Sequence, residues 1–111
     1  MSDESKDYDV FNGDGETAVA TRNEQKLKKP RLYKVLLHND DYTSMEFVVM
    51  VLTGVFHMAE SQAVEVMLHV HQKGVGTAGV YTYEIAETKI MKVTALAREH
   101  DFPLKCSMES E

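Results

Sequence analysis

With 111 residues and a formal charge of −6, the chain has room for one small domain with a modest core. Its single cysteine, Cys106, rules out an intramolecular disulfide and a Cys-rich zinc site, and the want of an 18-residue apolar run argues against a transmembrane helix. Residues 1–25 hold −5 of that charge, and past Lys34 the Lys and Arg are scattered, so the dense positive face that nucleic-acid binding needs is not expected.

The start, Ser2-Asp3-Glu4-Ser5, is acidic where a signal peptide would be basic and then apolar, so a cytoplasmic protein is the expectation. Residues 1–27 form an acidic extension poor in apolar side chains, and too little surface can be buried there to offset ordering entropy; disorder is expected. The domain then occupies 28–111. Pro30 biases Lys29 towards extended backbone, and a first strand is expected over about 31–38. A first helix follows over about 44–56, with Phe47, Val48, Val51, Leu52 and Val55 on one face. Thr43 and Glu46 have the spacing of a capping box. A second helix spans about 59–72 and stops at Gly74, which suits a left-handed position. Residues 75–79 read as a loop that becomes a short strand by Val80 and Tyr81. A third helix, about 83–100, presents Ile85, Ile90, Met91, Val93 and Ala97, and a last strand covers about 104–108. The order β-α-α-β-α-β defines an α+β class, with helices packed on a small sheet.

Asn39-Asp40-Asp41 ends the first strand directly before a helix. Asn and Asp favour such turns because their side chains bond nearby backbone amides. They also crowd acceptors, which makes the turn a seat for a cation, either a metal or an ammonium group. His71 and Met67 lie four apart and share a helix face. Read on residues alone, His71 is a core-edge histidine and the acidic turn a favourable charge at a helix start. No His-x-x-x-His pair occurs, and Ser44, Ser61 and Cys106 lack a base partner in the sequence. Neither a catalytic metal nor a nucleophilic enzyme is expected, and no cofactor.

Asn39-Asp40-Asp41-Tyr42-Thr43, Met45-Glu46-Phe47-Val48, Met67-Leu68, Val70-His71 and Ala86-Glu87-Thr88-Lys89, in this order and spacing, resemble the signature of the ClpS family. Its members are the bacterial N-end rule adaptors of the Clp AAA+ protease. The resemblance implies a three-stranded antiparallel sheet. It implies that Asn39, Asp40 and His71, with Asp41 supporting the turn, receive the free α-amino group of a substrate's first residue. Thr43, Met45, Val48, Met67, Val70 and Leu104 would line an apolar pocket for Leu, Phe, Tyr or Trp. Met45 matches the gate that disfavours β-branched first residues. Glu84 and Lys89 would face the N-terminal domain of a ClpA-type unfoldase. The implied protein is a monomeric, non-enzymatic adaptor without metal. Ser44 stands where the family commonly has Pro, His38 where it has an aliphatic residue or Asn, and Ala78 where it has Cys. The competing expectation is a docking module with a ribosomal-stalk-like fold and no terminus-binding pocket.

Overall fold

A computed structural model describes residues 29–111 and, before them, only two short parallel strands at Ser2–Asp3 and Ser5–Lys6. The expected disorder over 1–27 lies otherwise outside the described residues. The domain runs β1 (Leu32–His38), α1 (Met45–Gly54), α2 (Glu60–Lys73), β2 (Val75–Thr82), α3 (Tyr83–Glu99) and β3 (Lys105–Ser110). The strands form an antiparallel sheet in the order β2-β1-β3.

β1 is the central strand because β2 and β3 pair with its two edges, and its burial alternates along the pleat. Val35 and Leu37 are wholly buried on one face, while Lys34 and Leu36 lie half-buried on the other. Facing that buried side, β2 supplies Gly76 and Ala78, and β3 the half-buried Cys106 and Met108. Burial pushes the Cys106 thiol up to about 12, so it behaves as a small apolar side chain rather than a reactive one. α3 packs across all three strands, and α2 packs against β2 and α1. One core joins Phe47, Val51 and Leu52 of α1, Ala63 and Val70 of α2, and Ala86, Val93 and Ala97 of α3.

The second strand departs from expectation. It begins at Val75, not at Val80, and pairs with β1 along its whole length. Its Gly-rich start looks like a loop, but α2 requires a small residue at Gly76. A Cβ on Gly76 would meet Val70 Cγ2 at 2.7 Å. Pairing steps from Val35↔Gly79 to Leu36↔Thr77, which leaves Ala78 as a bulge residue, itself buried. β3 begins one residue later than expected and extends to Ser110.

The cap of α1 is also corrected. Ser44, not Thr43, is the N-cap, and its hydroxyl accepts from the Phe47 N–H at 3.1 Å. Thr43 is engaged elsewhere, as described below. α2 ends as expected at Gly74, whose φ of 90° is left-handed and whose N–H donates to the Val70 carbonyl. On α3 the expected apolar face is shifted: Ile85 and Met91 are exposed, and Ala86 takes the buried position. The helix starts directly after β2, so its phase is set by that junction.

Candidate binding site

The turn between β1 and α1 is built by one carboxylate. Asp40 Oδ1 accepts from the Tyr42 N–H at 2.8 Å and the Thr43 N–H at 2.7 Å, and Oδ2 accepts from the Thr43 hydroxyl at 2.8 Å. Burial pushes the Asp40 carboxyl up, but the two Thr43 bonds and the Tyr42 N–H outweigh it and hold it below its ordinary value. It is therefore ionised at neutral pH. At its other end the turn is stapled to α2, because the Asn39 N–H donates to the Gly74 carbonyl at 2.9 Å. Gly74 closes the helix whose last turn bears His71. The asparagine and the histidine, 32 positions apart in sequence, thus border the same hollow.

That hollow has a volume of about 400 Å³, within the ordinary range of small-ligand pockets, about 300–1,000 Å³. Asn39, Asp40, Asp41 and His71 line it together with Thr43, Met45, Val48, Met67, Val70 and Leu104. Every pocket and amine-site residue singled out from the sequence therefore meets in one place. Val48, Val70 and Leu104 are buried and form apolar wall; Asn39, Asp41 and His71 are exposed, and Met45 is 47% exposed. The site is polar where it meets solvent and apolar within.

His38, Tyr42 and Ser44 also line it. His38 Nε2 and Ser107 Oγ share a 2.7 Å hydrogen bond across β1 and β3, which steadies the imidazole at the end of the central strand. Its place beside the acidic turn was the available signal. Tyr42, an exposed aromatic, is part of the signature turn, but the resemblance assigns it no role there.

Glu84 and Lys89 lie outside this hollow. Glu84 is exposed in the first turn of α3. Lys89 is half-buried, and its Nζ donates to the Val55 carbonyl at 2.7 Å, with the Tyr81 and Phe56 ring centroids 5.5 and 6.0 Å away. It ties α3 to the corner after α1. Among the described residues, no three His, Cys, Asp or Glu side chains gather so as to hold a metal ion. No helix among them is long and apolar enough to cross a membrane.

A small α+β domain with a pocket that is polar at the mouth and apolar inside defines a binding module. Residues 28–107 match the family model described as ATP-dependent Clp protease adaptor protein ClpS. The ClpS adapter protein of Myxococcus xanthus is 63% identical over 98 residues, covering 86% of this chain and 92% of that protein. That of Parvibaculum lavamentivorans is 54% identical over 111 residues, the whole of both chains. The solved structure of Agrobacterium tumefaciens ClpS2 bound to L-phenylalaninamide matches with a TM-score of 0.73 at 46% identity, covering 75% of this chain and all of that one. The chain belongs to the ClpS family. It is a Clp protease adaptor, and its relatives are named as adaptors rather than enzymes.

Proposed function

We propose that this adaptor binds proteins through a free first residue, Leu, Phe, Tyr or Trp, and delivers them to a ClpA-type AAA+ unfoldase for degradation. The observation that carries this reading is the meeting of Asn39, Asp40 and His71 on one apolar-walled hollow. An α-ammonium offers three protons and needs three acceptors. The Asn39 amide oxygen and a neutral His71 nitrogen are two. An ionised carboxylate has about four acceptor positions, and the turn occupies three on Asp40. One remains on Oδ2 for the third proton. Charge-assisted bonds of this kind are about twice as strong as neutral ones.

The side chain of the same residue then enters the apolar part, formed by Val48, Met67, Val70 and Leu104, with Met45 gating its entrance. Burying a Leu or Phe side chain contributes about 1.5–3 kcal/mol. The ClpS2 relative supports the reading, since the phenylalaninamide bound to it combines a free α-amine, a bulky apolar side chain and an amide at the position of the next peptide bond. Glu84, exposed in the first turn of α3, and Lys89, which keeps two ammonium protons beyond the one given to the Val55 carbonyl, contribute to docking the N-terminal domain of the unfoldase. The adaptor works there as a cytoplasmic monomer, and its acidic extension over 1–27 is the segment the unfoldase engages during transfer.

The test compares a labelled peptide starting with free Leu against its N-acetylated twin by fluorescence anisotropy. Acetylation removes the charge and two of the protons. It should weaken binding by roughly 30-fold or more, about 2 kcal/mol. Equal affinity for both peptides would refute the ammonium site and favour a docking module indifferent to chain ends.

A further inference from the structure

A second hollow, of about 730 Å³, lies between α1 and α2 and is walled by Met45, Met50, Met58 and Met67 with Val49 and Val64. It uses the face of α1 turned away from the core, whose buried side carries Phe47, Val48, Val51 and Leu52. Met45 and Met67 border both hollows, so the partition between them is built from these two side chains. Four methionines give a wall that is apolar, unbranched and able to repack around differing shapes. Met45 and Met50 are 47% and 39% exposed, an unusual exposure for side chains that bury well.

We propose that this groove receives the side chain of the third residue of the chain whose first residue occupies the neighbouring pocket, and that it selects large, unbranched apolar side chains there. The inference rests on the terminus-binding reading above. In an extended chain, side chains alternate and residues one and three point the same way, about 6.6–7 Å apart. That is a span fit to step over a partition of two methionine side chains. The second residue points away and is read by neither hollow. The adaptor's own acidic extension, with net −5 over residues 1–25, is a poor occupant, because Glu46 and Glu60 also border the groove.

The experiment uses the full chain and C-terminally labelled peptides that begin Leu-Gly-Leu or Leu-Gly-Gly and are otherwise identical. The third-residue Leu should bind about tenfold tighter, the equivalent of about 1.4 kcal/mol. Met50→Glu, at a position lining the groove and not the first pocket, should erase that gap and leave the Leu-Gly-Gly affinity within twofold. That retained affinity also shows the variant is folded. Equal affinities on the unmodified chain, or a gap that survives Met50→Glu, would overturn the inference and leave the terminus reading intact. If acetylated Leu-Gly-Gly binds as well as the free peptide, it is the terminus reading that fails, and this one with it. A concentration-dependent dimer that Met50→Glu dissolves would assign the groove to a second copy and overturn the proposal equally.

Discussion

Two polar features drew attention in this chain, the turn at Asn39–Thr43 and the charged start of α3, and the fold treats them differently. In the turn, the Asp40 carboxylate lines a hollow and holds three internal bonds, which leaves one of its acceptor positions unfilled. On α3, the Lys89 ammonium is drawn onto the Val55 carbonyl beside two aromatic rings, half out of solvent. A polar side chain is available to a ligand only to the extent that the fold leaves its bonding capacity unfilled. The turn has capacity to spare at a cavity; the lysine has committed one of its three protons to holding a corner together.

The strongest way to break this contrast is Asp40→Ala. It removes the shared acceptor and leaves the Tyr42 and Thr43 amides without their partner. Binding of free-Leu peptides should fall by 100-fold or more, and stability by about 1–2 kcal/mol, read by titration and urea melts. Unchanged peptide affinity would make Asp40 a turn-former alone. The same carboxylate gives a pH signature. Its folded value is depressed, so its contribution to stability is complete above the ordinary value of an unfolded aspartate, near 3.8. The contribution is lost as pH falls from there through the folded value. Thr43→Val removes one of the bonds holding that value down, so acid unfolding of this variant should begin at a higher pH than in the parent.

Lys89→Met sharpens the other side. It keeps the apolar stem and leaves the Val55 carbonyl without its donor, which should cost about 1–2 kcal/mol of stability. Peptide affinity should stay within twofold, because Lys89 does not line the pocket. A large loss of affinity with unchanged stability would reverse the contrast drawn above. The smallest effect is expected from Ser44→Ala, which deletes the cap of α1. About 1 kcal/mol of stability should go, with a modest loss of affinity as Met45, the first helical residue, loosens. If Glu46→Ala destabilised the helix as much, a capping box based on Thr43 would be back in contention.

Much of this domain was legible in the sequence because it follows from local periodicity. The Leu-, Val- and Tyr-rich run of the first strand, the helical face of Phe47, Val48, Val51 and Leu52, and the Gly74 stop are properties of short segments, and all three stand in the structure. The residues that gather at the hollow were legible through their family signature, since no spacing rule brings Leu104 to Val48. What only the tertiary structure decided are the competitions between neighbours. Thr43 and Ser44 can each cap α1, and Ser44 does so because Asp40 takes the Thr43 hydroxyl. Gly76–Gly79 has the composition of a loop, yet it is strand, because the central strand supplies bonding partners, and Val70 leaves no space for a larger side chain at Gly76. Nothing local in the sequence ties Lys89 to Val55, yet that carbonyl, 34 residues away, is brought within 2.7 Å of it. Local sequence determines which conformations a segment prefers; which hydrogen bond each polar group finally makes depends on what the rest of the chain brings next to it.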